Sequence, residues 1–462
     1  MTMWIPKPEE LKRPAYRSLI EAVTGAVNAG KLKPGDKLPT HRDLAYRLGI
    51  SVQTVSRAYD ELSARGIIAG EVGRGTFVRP SSGDARPPFL PEGHYDQLVD
   101  CSILKPVCDQ IHVDHMKKAL TQLGSDVLGS AVLSFRPSVA LNDYRSSALK
   151  WLRICGLSPR EESVLLTNGN TSAMTVALMS AASPGELVVT EEIGHHTLKP
   201  LCRYLGLRLK GLRIDTEGIV PEDFDDACRA TAVRALFLMP SGLNPTAAVM
   251  SLQRRRELVA IAVRHDVLIV ESDAWGPLQP DRPVPIAALA PDRTFYFTGF
   301  SKCIMPGLRS GYLVVPEQFE TAAGNRHLVT NWMATPIIAD IAARWIENGT
   351  AEHLLDWQIA ALGRRNQLAD EVLAGVDFRA SPNGLHIWLP LPELWTESEF
   401  VAHARLNGVA VAPGSSFTVS DTPKPAAVRI CIGVATEEAL ARGLATVARL
   451  TRSSPEPALL AI

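Results

Sequence analysis

The sequence predicts two unlike domains in series: an N-terminal winged helix-turn-helix and, beyond a linker, a larger α/β domain on a largely parallel sheet. Three observations predict it. Two short helical patterns near the N-terminus are separated only by Gly49 and Ile50; a Pro, Gly and Ser-rich stretch follows; beyond it, helical periodicity alternates with short apolar runs. Composition agrees, since 462 residues with 46% apolar and 21% charged content are ordinary globular material and too many for one core. The net charge of -1 hides an asymmetry: residues 1 to 80 hold 13 Lys and Arg against 8 Asp and Glu, leaving 35 against 41 for the remainder. A basic head on an acidic body is the pattern of a nucleic-acid reader joined to something else.

Some classes are set aside early. No run of about 18 uncharged apolar residues occurs, and "MTMWIPKPEELKRPAY" lacks the apolar core of a secretory signal, so a cytoplasmic protein without a membrane partner is expected. The seven cysteines are odd in number and never in a Cys-x-x-Cys spacing, which argues for packing thiols and against a metal site.

In the head, Leu19, Ala22, Val23, Ala26 and Val27 recur at helical spacing until "KLKPGDKLP" breaks the pattern. "THRDLAYRLG" then starts a second helix at Thr40, with Asp43 three residues on and Leu44 and Leu48 facing inward; Gly49 stops it. "SVQTVSRAYDELSARG" restarts with Ser51 as N-cap and Val55, Tyr59 and Leu62 on one face. Gln53, Thr54 and Arg57 then project from the opposite face near the start of the second helix of the pair, where base edges and phosphates are read. "IIAGEVGRGTFVRP" alternates like a two-stranded ribbon, with Arg74 between two glycines at its tip. The plain alternative is a small helical protein-binding module, which explains neither the wing nor the basic face.

"RPSSGDARPPFLPEG" reads as a linker. In the body, "SVLLT", "ELVVT", "RALFLMP" and "VLIVES" are strands and the segments between them helices, so ligands belong at the strands' carboxyl ends. There stand Gly169, Asn170 and Thr171 in "NGNTSAM", opening a helix whose N–H groups favour a phosphate, and Asn244 in "SGLNPT". There too stand Glu271 and Asp273 in "ESDAWG", and Ser301, Lys302 and Arg309 in "GFSKCIMPGLR". Singly these read as a helix cap, a turn former, a capping carboxylate and a surface lysine. Together they are the parts needed to hold pyridoxal phosphate as a Schiff base.

Residues 12 to 80 resemble the winged-helix DNA-binding domain of the GntR family in "LKPGDKLPTHRDLAYRLGISVQTVSRAYDELSARG" and "GRGTFV". Residues 98 to 450 resemble the fold type I aminotransferases, and the whole resembles the MocR subfamily of GntR regulators, with residues 81 to 97 as linker and 451 to 462 as tail. The resemblance implies that Arg42, Gln53, Thr54, Arg57 and Arg74 contact operator DNA. It implies that Lys302 carries pyridoxal phosphate, that Ser301 and Arg309 hold its phosphate with the amides of Gly169, Asn170 and Thr171, and that Asn244 bonds its phenolic oxygen. Arg429, in "AAVRICIG", matches the arginine that clamps a ligand carboxylate. A homodimer that senses a small amino-compound effector is implied, with no catalytic residue required.

Departures accompany the matches. His195 stands where an aromatic ring usually stacks on the pyridine, Phe135 where a phosphate-binding tyrosine is common, and Gly299 where a serine is common. In "ESDAW" either Asp273 or Ser272 meets the pyridine nitrogen; Asp273 is the expectation, because a carboxylate keeps that nitrogen protonated. "TNGNTSAM" and "GFSKCIMPGLRSGYL" are similar to regulators of ectoine and hydroxyectoine use. The competing reading is a working aminotransferase with an accessory DNA-binding domain; the complete winged helix, which has no role in transamination, favours the regulator.

Overall fold

The computed structural model describes residues 4–6, 15–28, 31–33, 35–64, 67–71, 75–78, 98–127, 129–133, 138–419, 425–434 and 436–455. Arg74, Phe135 and residues 81–97 lie outside them. The chain divides into two compact units, residues 1–96 and 97–462.

The first unit contains α1 (Ala15–Asn28), β1 (Lys37–Leu38), α2 (His41–Leu48), α3 (Val52–Ala64), β2 (Ile68–Glu71) and β3 (Gly75–Val78). Thr40 caps α2 by accepting from Asp43 N–H at 3.3 Å, and Gly49 closes it at φ 66°, a conformation that costs a residue with a Cβ more than glycine. Ser51 caps α3 by accepting from Thr54 N–H at 3.1 Å. Leu19, Val23, Leu44, Val55, Tyr59 and Leu62 form the unit's own core, and the buried Tyr59 hydroxyl donates to Pro39 O at 2.9 Å. The expected two-stranded ribbon gains a third strand, because β1 pairs antiparallel with β3, giving the order β1-β3-β2.

The second unit contains α4 (Gln110–Asp126) and is built on seven strands: β4 (Val164–Thr167), β5 (Leu187–Glu191), β6 (Arg208–Leu212), β7 (Val233–Leu238), β8 (Leu268–Ser272), β9 (Thr294–Gly299) and β10 (Gly311–Val314). Their order is β4-β10-β9-β8-β7-β5-β6, with only β10 antiparallel to its neighbours. Side-chain alternation sends Val270, Phe237 and Phe297 into the main core with α5 (Asn170–Ala181), and Leu236, Leu238 and Ile269 into a second core with α6 (Leu252–Arg264). Helix α5 is buried nearly all round, which its run of Ala, Met, Val and Leu permits. A smaller sheet of β11 (Arg379–Ala380), β12 (His386–Pro390), β13 (Ala412–Pro413) and β14 (Ala427–Cys431) has the order β11-β12-β14-β13. Among the described residues no helix is long and apolar enough to cross a membrane.

This topology gathers the chemistry at one edge. The loops leaving β4, β5, β7, β8 and β9, and the loop entering the antiparallel β10, all open at the carboxyl ends of the parallel strands.

Candidate functional site

On the head, Arg42, Gln53 and Arg57 are exposed. Thr54 is half-buried, and its hydroxyl shares a hydrogen bond of 2.8 Å with Ser51. The Arg57 guanidinium lies 4.1 Å over the Tyr16 ring, a stacking contact that orients it without using its in-plane donors. Arg57→Ala is therefore expected to weaken operator binding by about 1 to 3 kcal/mol, the range of one bidentate base contact. A mobility-shift titration at fixed salt measures it, and unchanged affinity would remove Arg57 from the reading face.

In the body, the turn from β4 into α5 forms a cradle. Gly169 adopts φ +80°, and a Cβ there would stand 3.0 Å from Arg309 Nη2, so only glycine lets the guanidinium lie across this turn. The first intrahelical bond of α5 is Ala173 N–H to Gly169 O at 3.2 Å, which leaves the N–H groups of Asn170, Thr171 and Ser172 without an intrahelical acceptor. Arg309, held at φ 47°, donates to the Ser301 hydroxyl at 3.3 Å. The cradle thus presents backbone amides, a hydroxyl and a guanidinium to one place, a donor set suited to phosphate. Gly299 forms its floor: a Cβ there would meet Asn170 Oδ1 and Ser310 O at 2.6 Å, so the serine common in the family has no room.

Lys302 follows β9 in a single helical turn, Phe300–Cys303, half-buried, with its ammonium on Leu104 O. Burial, with the nearby Arg429 and Arg309 guanidinium groups, pushes its pKa down to about 8 against the opposing influence of Cys431. Arg429, on β14, is 4% exposed and donates to Asn244 Oδ1 at 3.2 Å and to Ser102 O; its Nε has no partner among the described residues. Its guanidinium carbon lies 4.8 Å over the Phe417 ring. Arg309 and Arg429 both act electrostatically on Lys302, and among the described residues none of the three forms an ion pair with a carboxylate. Such a cluster awaits anions.

His195 stands on the same side. Its ring meets Phe237 edge-on at 6.1 Å and stacks on His196 at 5.3 Å, and Thr197 N–H donates to its Nδ1 at 3.3 Å. Burial, followed by the neighbouring His196 and then Lys302, pushes its pKa down to about 3, so it presents a neutral imidazole face.

Asp273 follows β8, its carbonyl accepting from the Thr298 hydroxyl at 2.9 Å. Its Oδ2 accepts from Tyr296 OH at 2.6 Å and from Arg282 Nη2 at 2.9 Å, and the same Arg282 nitrogen donates to Cys155 O at 2.8 Å. The charges felt by Arg282 and Tyr296 are those of Asp273 and Cys155, whereas Lys302 feels Cys431, Arg429 and Arg309. The Asp273 Oδ1 has no partner among the described residues and lies against the Gly276 turn. Within β8, alternation puts Glu271 on one face and Ser272, with Val270, on the other, in register with Phe297.

Several supporting residues escaped sequence reasoning. Arg255, fully buried, donates to Pro240 O at 3.0 Å, Met250 O at 3.1 Å and Val284 O at 2.9 Å, pinning the loop that carries Asn244 before its cis peptide to Pro245. Ser102 and Leu104 receive the two cations through backbone carbonyls, which no residue type announces. Trp275 donates its indole N–H to Gly242 O at 2.9 Å.

Comparison with known proteins follows the same division. Residues 108–447 match the family model for aminotransferase class I and II, and residues 15–78 match that for bacterial regulatory proteins of the gntR family. The chain is 28% identical over 454 residues to the uncharacterized HTH-type transcriptional regulator YdeF of Bacillus subtilis, covering 97% of this chain and 96% of that one. It is 28% identical over 309 residues to the pyridoxine biosynthesis transcriptional regulator PdxR of Corynebacterium glutamicum, covering 64% and 65%. Among solved structures, the fold is similar to α-aminoadipate aminotransferase LysN of Thermus thermophilus, complexed with N-(5'-phosphopyridoxyl)-L-leucine. The TM-score is 0.70 at 19% identity, covering 77% of this chain and 92% of that one. An archaeal alanine:glyoxylate aminotransferase gives a TM-score of 0.71 at 21% identity, covering 77% and 91%.

Proposed function

We propose, from the premise that this chain belongs to the aminotransferase class I and II family and is a transcriptional regulator with a gntR-type DNA-binding head, that its body is a pyridoxal phosphate-dependent sensor of an amino compound. The observation that carries this is the convergence of Lys302, Arg309 and Arg429 without a carboxylate partner, next to a cradle of helix N–H groups.

The residues present fit the cofactor's phosphate end. Gly169, Asn170, Thr171, Ser301 and Arg309 would hold the phosphate, His195 would meet the ring, and Asn244, whose Oδ1 accepts from Arg429, would bond the phenolic oxygen. When bound, pyridoxal phosphate supplies an aldehyde carbon that exchanges one amine for another. Lys302 supplies the resident amine, and its lowered pKa keeps part of it unprotonated at neutral pH. Arg429 binds the carboxylate of the incoming amine in two-pronged fashion, a task a lysine does poorly. The protein works as a homodimer in the cytoplasm, presenting two heads to two half-sites of an operator, and ligand exchange biases their arrangement only as far as the effector binds the two states unequally. The narrower expectation of an ectoine-derived effector has no feature of the site to carry it.

The test is to load the purified chain with pyridoxal phosphate, reduce it with borohydride and map the adduct, which is expected on Lys302. With a pKa of about 8, the free-amine fraction of Lys302 rises through neutral pH and saturates above that value. At pH 7.4 about a fifth of the amine is free, against about one part in a thousand for an ordinary lysine. The rate of cofactor capture, followed by absorbance, is thus expected to climb between pH 6 and 9 with its midpoint near 8. A midpoint at the ordinary lysine value would contradict the assigned environment.

A further inference from the structure

The chain resembles an enzyme at its phosphate cradle and its lysine, yet differs from one at the other end of the ring. The carboxylates near the carboxyl ends of the central strands are already engaged. Asp273 is held through Oδ2 by Tyr296 and Arg282, and its Oδ1, unpartnered among the described residues, is closed in by Gly276, where a Cβ would overlap it. Glu271 accepts the N–H groups of Ile286 and Ala287 at 3.0 and 2.8 Å, in the second core. Glu191 accepts from Met239 N–H and the Thr190 hydroxyl, both at 2.9 Å. The Glu192 Cα stands 2.8 Å from where a Gly211 Cβ would be, and its charge acts on Arg213.

What β8 turns toward the site is Ser272. It is 5% exposed, it pairs in register with Phe297, and it shares its face with Val270 and with Phe237, on which His195 rests. Its hydroxyl takes part in no hydrogen bond among the described residues. A hydroxyl without a protein partner can donate its proton to a ligand.

We propose that the cofactor's pyridine nitrogen is met by the Ser272 hydroxyl and not by a carboxylate, so that the body binds amines but does not transaminate them. This rests on the cofactor reading above and narrows it. A carboxylate beside a pyridine nitrogen favours the protonated ring by direct attraction, whereas a serine hydroxyl keeps its own proton and donates it in a hydrogen bond to the neutral nitrogen. The cationic cluster of Lys302, Arg309 and Arg429 further disfavours a positive ring. An unprotonated ring draws electrons weakly, so the Cα proton of a bound amino acid is retained. Amine exchange at the aldehyde carbon needs no such electron withdrawal and proceeds. The domain thereby keeps the recognition step and loses the one that would consume its ligand. That is the behaviour a sensor requires, since an effector converted during binding could not report its own concentration.

The experiment uses the full chain loaded with pyridoxal phosphate carrying nitrogen-15 in the ring, with L-alanine and L-glutamate as probes. In the parent, the ring nitrogen is expected to resonate in the unprotonated range, and the cofactor extracted after hours with either amino acid to remain pyridoxal phosphate. Ser272→Asp is expected to move the signal to the protonated range and to raise formation of pyridoxamine phosphate, with release of the matching oxo acid, on the order of 100-fold. A parent ring already protonated, or pyridoxamine phosphate formed by the parent as fast as by Ser272→Asp, overturns the inference. Should the aspartate variant not fold, the parent signal decides alone, and Ser272→Ala is expected to keep the unprotonated signal with weaker cofactor binding. Absence of any borohydride adduct on Lys302 overturns the cofactor reading and this inference with it; an adduct with a protonated ring overturns this inference only.

Discussion

Lys302→Ala is expected to abolish covalent cofactor capture and the effector response while leaving operator affinity within about twofold of the parent, as for distant, independent sites. The head has its own core of Leu19, Val23, Leu44, Val55, Tyr59 and Leu62, so a truncation beyond β9 does not reach its packing. Removing the side chain removes the amine that captures the aldehyde and also the charge on Leu104 O. The phosphate cradle remains, and with it noncovalent retention of some cofactor. The measurement is operator binding with and without pyridoxal phosphate and a panel of α-amino acids, alongside borohydride trapping. A variant that holds no cofactor and still answers amino acids as the parent does would end the sensor reading. Parent turnover near the 10 per second that is roughly the median for enzymes would restore the aminotransferase alternative.

Arg429→Ala is expected to weaken binding of carboxylate-bearing amines roughly 10- to 100-fold, the range of a lost charge-assisted hydrogen bond, while cofactor affinity changes little. The separation follows from placement: Arg309 lies at the Gly169 turn and on Ser301, while Arg429 lies on β14 between Asn244, Ser102 and the Phe417 ring. Because Arg429 is 4% exposed and unpaired by a carboxylate, its charge is costly to bury until a ligand anion arrives. Arg429→Lys is expected to recover little, since a point charge cannot make two parallel hydrogen bonds. An alkyl amine of similar size without a carboxylate is the control, and its binding should be nearly unaffected. Calorimetric titration of the loaded protein measures both, and equal loss for both amines would dissolve the distinction between the two arginines.

Some of this protein was determined by the sequence alone, because its causes are local. Thr40 with Asp43, the stop at Gly49 and the restart at Ser51 are capping and turn chemistry within one or two helical turns, and each appears in the structure as read. The α/β alternation and the strand-end positions of Gly169, Asn244 and Lys302 follow from periodicity, which needs no knowledge of distant partners. Other features depend on contacts between residues far apart in the chain. The third strand of the wing requires Lys37 to meet Phe77. The closed floor at Gly299 requires Asn170 and Ser310 to crowd it. Above all, "ESDAW" offers two registers that composition cannot separate. Only tertiary structure distinguishes their surroundings, because Tyr296 and Arg282 arrive from elsewhere to hold Asp273, while the two-residue period of the strand puts Ser272 on the face of Val270, beside Phe297.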